Sequence, residues 1–228
     1  MTNTHQNIYL DYSATTPLDP DVAAVIRKHM DSTFGNASSV HSYGRTAKVV
    51  LEESRERIAL AIGAEPAELF FTSGGTESDN HALIGCALYQ RRMFGKDHLL
   101  VSAIEHHAVL DSVDYLKTLG FTVEYIPVDA RGFVDHAFIE RAITDRTAVL
   151  SVMHANNEIG TVQPIDKIGE ITKSAGIYFH TDAVQTAGAI PVDVNRMNVD
   201  LLSISAHKLY GPKGVGCLYI RKGTKMVP

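Results

Sequence analysis

Short apolar runs alternate with stretches of helical periodicity over most of this sequence. Seven runs rich in apolar and β-branched residues predict strands at 69–72, 99–103, 122–126, 148–153, 177–181, 200–204 and 215–220. Residues 77–92, 109–119, 137–143 and 165–174 carry patterns typical of helices. This alternation predicts an α/β fold: a mostly parallel seven-stranded sheet with helices on both faces. The last strand follows its predecessor too closely for a helical crossover, so we expect it to run antiparallel.

Two further helices are predicted before the first strand. Asp19 and Pro20 are typical of a capped helix start, and residues 43–62 form a longer amphipathic helix that ends at Gly63. The first of these helices has an apolar stripe with a spacing of four residues: Val22, Ile26 and Met30. No repeat or linker interrupts the pattern. We therefore expect an N-terminal segment, residues 1–18, followed by one domain, residues 19–228.

Composition narrows the class of protein. With 228 residues, 45% of them hydrophobic, the chain can bury one large core. A net charge of -5, with acidic and basic residues interspersed, argues against a nucleic acid or a membrane surface as partner. Residues 1–7 lack an apolar signal core, and no apolar run approaches the ~20 residues of a membrane span. Cys86 and Cys217 are expected to be buried thiols, and the location to be cytoplasmic.

Polar side chains follow five of the predicted strands, and Lys208 is the most distinctive of them. Ligands in such a sheet bind beyond the carboxyl ends of the strands, here at residues 73–76, 105–107, 154–157, 182–185 and 205–208. Lys208 follows an apolar strand and lies next to His207. A desolvated lysine with cationic neighbours loses proton affinity and becomes an amine nucleophile, as Schiff-base chemistry requires. The alternative is a solvated or phosphate-binding lysine in a glycine-rich turn.

The other strand ends suggest an anion site and a cation site. Two glycines in residues 73–76 precede a helix, which favours phosphate at its N–H groups; the alternative is a tight turn in which Ser73 or Thr76 caps the helix. Asp182 requires a cationic partner, which a pyridinium nitrogen or Lys208 would supply. Alternatively, His180 and Asp182 would bind a metal ion, although no third ligand stands at a recognisable spacing.

Histidines and asparagines complete the set of candidates. His106 and His107 are adjacent, so at most one of them faces a ligand, where it would stack on an aromatic cofactor or move a proton. We expect Asn156 to bond a ligand oxygen, and Asn157 to help close the turn. A lysine, a carboxylate, a phosphate site and an imidazole are the groups that pyridoxal 5′-phosphate needs.

With these residues assembled, the sequence resembles the cysteine desulfurases of the NifS/IscS group, which are fold-type I pyridoxal-phosphate enzymes of the class V aminotransferase family. The matching motifs run through the whole chain: YLDYSATTP at 9–17, GNASSVHSYGR at 35–45, FTSGGTES at 71–78, EHHAVL at 105–110, MHANNEIG at 153–160, HTDAVQ at 180–185 and SAHKLYGPKG at 205–214.

The resemblance implies a role for each candidate residue. Lys208 forms the Schiff base and moves the α-proton, His106 stacks on the ring and assists proton transfer, and Asp182 keeps the pyridine nitrogen protonated. Hydrogen bonds to the phenolic oxygen come from Gln185 and Asn156, and the phosphate is held by Gly75, Thr76, Ser205 and His207. No metal is implied.

The resemblance also implies a substrate, partners and a missing part. The substrate is L-cysteine, which becomes L-alanine while its sulfur passes to an enzyme cysteine as a persulfide. A homodimer and a sulfur-acceptor or iron–sulfur scaffold protein are expected. Family members continue into a C-terminal small domain that carries the persulfide cysteine, so this chain is expected to be a fragment with the stripe of its first helix uncovered. Alternatives are a related pyridoxal enzyme, such as a selenocysteine lyase or an aminotransferase-like enzyme, and a catalytically silent cofactor-binding or dimerisation domain.

Overall fold

The computed structural model of the protein describes residues 7–228. Its strands are β1 (Leu69–Thr72), β2 (His98–Ser102), β3 (Thr122–Ile126), β4 (Thr147–Ser151), β5 (Tyr178–Asp182), β6 (Leu201–Ser205) and β7 (Gly216–Ile220). Its helices are α1 (Pro20–Ser32), α2 (Ser42–Ile62), α3 (Gly75–Phe94), α4 (His107–Thr118), α5 (His136–Ala142) and α6 (Ile165–Ala175). The expectation about a signal core in residues 1–7 falls, except for Asn7, outside the described residues.

All seven strands form one sheet in the order β1-β7-β6-β5-β4-β2-β3. Four neighbouring pairs are parallel: β3 with β2, β2 with β4, β4 with β5, and β5 with β6. Strand β7 lies between β6 and β1 and is antiparallel to both. The predicted mixed sheet and its antiparallel last strand are confirmed. Each predicted strand coincides with an observed one to within two residues at either end.

Helices cover both faces of this sheet because successive side chains of a strand point to opposite sides. Val149 and Leu150 of β4 show the alternation: Val149 packs in the core formed with α3 and α4, and Leu150 in the core formed with α2, α5 and α6. Strands β2, β4 and β6 are buried along their whole length, which is typical of parallel sheets covered on both faces. The predicted three-layer arrangement is confirmed.

Helix α3 begins two residues before its predicted start. Its N-cap is Gly74, and no side chain caps it, so neither Ser73 nor Thr76 acts as the cap. The glycine pair therefore leaves the first N–H groups of the helix uncapped. This matters because these groups open towards the candidate site.

The two N-terminal helices are covered least. No residue of α1 is buried, and Met30 of its predicted stripe is 73% exposed. In α2 only Gly44, Ala59 and Ile62 are buried. Val22 and Ile26 of the stripe are half-buried, so the described residues cover the stripe of α1 only in part. None of the helices between residues 7 and 228 combines the length and the apolar character that a membrane crossing requires.

The two cysteines are free, buried thiols, as expected. Burial is the main cause that raises the pKa of both, to about 11 for Cys217. Neither is therefore a ready nucleophile.

Candidate active site

A cleft with a volume of about 190 Å³ lies beyond the carboxyl ends of the parallel strands. Residues from α3, from the loops after β2, β4 and β5, and from the end of β6 meet there with Ala14 of the N-terminal segment. The lining consists of Ala14, Gly75, Thr76, Asp79, His106, Met153, Asn157, Asp182, Val184, Gln185, Ser205, His207 and Lys208. Every predicted site residue lies in it except Asn156.

The prediction for the asparagine pair is reversed in the structure. The side-chain oxygen of Asn156 accepts hydrogen bonds from the N–H groups of Glu158 and Ile159, at 2.9 and 3.0 Å, and its Nδ2 donates to the carbonyl of Ile104 at 2.9 Å. Asn156 thus closes the turn, and Asn157 lines the cleft. Successive residues of a turn point to different sides, which sequence spacing alone cannot resolve.

Lys208 is half-buried at the end of a single 3-10 turn, Ala206–Lys208. Burial lowers the pKa of its amine, while the carboxylates of Asp182 and Asp11 act in the opposite direction. The amine donates a hydrogen bond to the carbonyl of Ser13, which also accepts one from Nε2 of Gln185 at 3.0 Å. The same backbone carbonyl therefore orients two side chains of the cleft.

The N-terminal segment is fastened to the lysine loop, which we define as residues 206–215. The N–H and hydroxyl groups of Thr16 donate to the carbonyl of His207 at 2.9 and 3.0 Å, and the same hydroxyl accepts from the N–H of Tyr210 at 2.8 Å. Tyr210 has a φ of 60°, which is unusual outside glycine. Thr16 is buried, and its hydrogen bonds hold the loop in place at Tyr210, where the backbone is strained.

The N-terminus of α3 forms the anion side of the cleft. Gly75 is packed so closely that a Cβ atom there would lie 2.7 Å from Cγ2 of Val184. Glu77 does not block the helix end, because its carboxylate accepts from the N–H of Ser73 at 2.6 Å. That hydrogen bond is the main cause that lowers the pKa of Glu77. Uncapped N–H groups and the helix dipole favour an anion here, and Ser205 and His207 lie in the same cleft.

Asp182 forms the cation side of the cleft. It is buried at the end of β5, and its Oδ1 accepts from the N–H of Val184 at 2.8 Å. Burial, with a smaller contribution from the nearby carboxyl of Asp79, raises the pKa of Asp182 to about 7. A buried carboxyl with no directly paired cation is a fitting partner for a ligand cation.

His180, two residues before Asp182, is engaged by protein groups on both ring nitrogens. Nδ1 lies 2.9 Å from the hydroxyl of Ser151, and Nε2 lies 3.1 Å from that of Ser203. Burial lowers its pKa to about 4, so the ring is neutral. Within residues 7–228 no three histidine, cysteine or acidic side chains gather as a metal would need, which disfavours the metal alternative.

The two adjacent histidines separate as expected. His106 is the N-cap of α4, where its Nδ1 accepts from the N–H of Ala108 at 3.0 Å, and its ring lines the cleft. His107 is the first residue of α4 and lies outside the lining.

Sequence reasoning missed five lining residues: Ala14, Asp79, Met153, Asn157 and Val184. Asp79 could have been found, because it lies four residues after Gly75 and so on the same face of α3. Val184 could also have been found, since it stands between two predicted site residues. Nothing in the pattern distinguishes Ala14 or Met153 from ordinary apolar positions.

Comparison with known proteins decides the family. The model of the family aminotransferase class-V matches residues 8–228. The chain belongs to that family.

Among curated class-V relatives, the cysteine desulfurase IscS of Dictyoglomus turgidum is 54% identical over 98% of this chain, which corresponds to 56% of the relative's length. The IscS of Methanosarcina thermophila is 51% identical over 97% of the chain and 54% of its own length. The chain thus spans about half the length of the curated relatives that it matches.

Solved structures show the same likeness. A NifS-like protein aligns over 98% of this chain and 61% of its own, with a TM-score of 0.94 and 40% identity. SspA in complex with cysteine aligns over 97% of this chain and 64% of its own, with a TM-score of 0.93 and 40% identity.

Class-V aminotransferases and cysteine desulfurases depend on pyridoxal phosphate, and the residues of the cleft fit that group. The uncapped start of α3 suits a phosphate, the buried and cation-free carboxyl of Asp182 suits a pyridinium nitrogen, and the desolvated amine of Lys208 suits an aldehyde.

Proposed function

We propose that the protein is a pyridoxal phosphate-dependent cysteine desulfurase and that residues 19–228 are its cofactor-binding large domain, preceded by an N-terminal segment, 1–18. The observation that carries this proposal is the meeting of the Lys208 amine, the Asp182 carboxyl and the start of α3 in one cleft. The cysteine desulfurases among the relatives support the choice of reaction. They favour it over a lyase or an aminotransferase-like enzyme.

Different residues of the cleft bind different groups of the cofactor. Gly75, Thr76, Ser205 and His207 bind the phosphate. Gln185 binds the phenolic oxygen, together with Asn157 in place of the predicted Asn156. Asp182 keeps the ring nitrogen protonated, and His106 stacks on the ring. When bound, the cofactor supplies an electron sink for the substrate's Cα.

Lys208 and His106 are the proposed catalytic residues. Because burial lowers the pKa of Lys208, a larger share of its amine is unprotonated near neutral pH than for an exposed lysine. The amine would hold the cofactor through its aldehyde carbon, and once the substrate's own amine displaced it there, it would be free to take the α-proton. His106 lines the same cleft, where its imidazole can assist the proton transfer.

The proposed substrate is L-cysteine, which leaves as L-alanine while its sulfur becomes the outer sulfur of a persulfide on a cysteine of the enzyme. Cys86 and Cys217 do not fit that role, because both are buried and burial raises the pKa of each thiol. We propose that a further domain of the protein carries this cysteine, as the greater length of the relatives suggests. We also propose a homodimer in the cytoplasm that passes its sulfur to an acceptor or iron–sulfur scaffold protein.

The test uses the protein isolated at its native length and supplied with pyridoxal phosphate. Borohydride reduction should attach the cofactor to Lys208, as mapped by peptide mass spectrometry, and L-cysteine should yield alanine and, with an added thiol as reductant of the persulfide, sulfide. Lys208→Ala should lose both, whereas Lys222→Ala, on the exposed surface, should lose neither. Attachment elsewhere, or no alanine from L-cysteine, would overturn the proposal.

A further inference from the structure

Asp79 is an acidic side chain that packing does not explain. It lies on the second turn of α3, is only 1% exposed and lines the same cleft as Asp182. Its Oδ1 has no hydrogen-bond partner among the described residues. Burying a carboxyl oxygen without a hydrogen-bond partner costs free energy. Such groups are found mainly where a ligand or a shared proton supplies the missing hydrogen bond.

The surroundings of Asp79 connect it to Asp182. His180 and Asp182 are two residues apart on β5 and therefore point to the same face, and Asp79 packs against that face with Oδ1 3.4 Å from Nε2 of His180. Oδ1 of Asp79 forms no hydrogen bond with His180 or any other described residue, and the hydroxyls of Ser151 and Ser203 already lie at the two nitrogens of His180, whose pKa burial lowers to about 4. The imidazole therefore supplies no cation to balance the two carboxyls.

We propose that Asp79 is a positioning residue of the cleft floor: it shares one negative charge with Asp182 and so sets the proton affinity of a ring nitrogen bound above Asp182. Two carboxyls in one dry site cannot both ionise cheaply, so the charge of either one depends on the other. The part that concerns the ring nitrogen rests on the proposed function. The coupling of the two carboxyls does not.

Other ionisable groups lie around Asp79 and Asp182 and affect the pKa of the pair. Burial raises the pKa of Asp79 and of Asp182 to about 7. The groups that face the pair from other elements are His180 on β5, Glu105 and His106 before α4, and Lys208 after β6. Burial raises the pKa of Glu105 as well, and the carboxyls of Asp182 and Asp79 act in the same direction, so Glu105 is a third acidic group coupled to the pair.

These pKa values give a clear expectation for Asp79→Asn. An acid whose folded-state pKa is raised keeps its proton in the native state after the unfolded chain has lost its own, so the native state loses stability as the pH rises from the ordinary carboxyl pKa towards about 7. Asparagine imitates the protonated form at every pH. The stability of the variant relative to the wild type should therefore grow as the pH rises towards 7 and stay constant above it.

The experiment measures melting temperatures of the full chain without cofactor from pH 5 to pH 8.5. We expect Asp79→Asn to melt roughly 2–4 °C above the wild type at the alkaline end, which corresponds to about 1 kcal/mol. When Asp79→Asn is introduced into the Asp182→Asn variant, it should raise the melting temperature by less, because the partner charge is already gone. Asp111→Asn, on the exposed surface of α4, is the matched control and should leave the pH dependence unchanged. Asp79→Ser repeats the comparison if asparagine is not tolerated.

A second arm titrates the visible absorbance of bound pyridoxal phosphate. Because the pair shares one negative charge, Asp79→Asn should leave that charge on Asp182 alone and raise the midpoint of that titration by about one pH unit, since a nearby negative charge raises proton affinity. If the melting shifts of Asp79→Asn and Asp182→Asn simply add in the cofactor-free double variant, the two carboxyls are not coupled. That result would overturn the proposal whatever the enzyme's activity. Coupled shifts without any cofactor absorbance would overturn the proposed function, and with it the role towards the ring nitrogen.

Discussion

At the scale of single residues, the cleft depends on close approach. Gly75 lets the start of α3 reach Val184 and Ser205, and a methyl group at this position would overlap Cγ2 of Val184. Valine is β-branched and has few alternative rotamers, so it cannot easily turn away. The space for an anion is thus created by a missing side chain.

Gly75→Ala should therefore destabilise the protein by about 1–3 kcal/mol, as overpacking of a dense site does. It should also weaken binding of pyridoxal phosphate. Gly74→Ala is the matched control, because a Cβ there would meet nothing closer than the Ser205 hydroxyl at 3.9 Å. Urea unfolding and a cofactor titration measure both effects. Equal stability of the two variants would contradict the steric argument.

Much of the cleft was accessible from sequence because its residues stand directly after apolar strands. Lys208, Asp182 and His106 were found in this way. Asn156 and Asn157 were exchanged, because a strand pattern says nothing about which residue of the following turn points inwards. Asp79 was missed since it lies on a helix, where the apolar periodicity of α3 draws attention to its core-facing side.

At the scale of elements, the segment before α1 acts as a fastening for the lysine loop. Thr16 holds both the carbonyl of His207 and the N–H of Tyr210, on either side of Lys208. Since Tyr210 has a backbone conformation that non-glycine residues seldom adopt, the loop requires such external support. Sequence patterns predicted the loop and the segment, but not their contact, because the two are far apart along the chain.

Thr16→Val keeps the shape of the side chain and removes its hydroxyl. It leaves the N–H of Tyr210 without its partner, which should cost about 1–3 kcal/mol, and it should reduce cofactor attachment at Lys208. Thr46→Val on exposed α2, whose hydroxyl bonds only the carbonyl of Ser42, is the control and should cost less. Thermal unfolding and borohydride trapping report the two effects. Unchanged trapping would show that the loop holds its shape without this contact.

At the scale of the whole molecule, apolar exposure is strongly uneven. The large hydrophobic side chains that are more than 70% exposed all lie between residues 8 and 60: Ile8, Leu10, Met30, Phe34, Val40 and Leu60. A concentration of this kind marks a surface that another part of the protein or a second copy covers. The proposed homodimer is one such cover.

Val40→Glu combined with Leu60→Glu should weaken the dimer, because ionised side chains at these positions would oppose burial. Sedimentation velocity of the full protein should then show half the mass of the wild type. Met93→Glu with Phe94→Glu, at the far end of α3, alters two apolar positions that are also exposed, though less so, and should keep the wild-type mass. A dimer that survives the first pair would place the interface elsewhere.

The position of β7 between β6 and β1 has a consequence for synthesis on the ribosome. Leu69 pairs with Tyr219, so the first strand has no neighbour in the sheet until the last strand has emerged. The parallel strands β2 to β6 can assemble during translation, while α1, α2 and β1 wait with most of their apolar surface uncovered. The nascent chain therefore exposes its N-terminal quarter longest, and chaperones that bind extended apolar segments would act there.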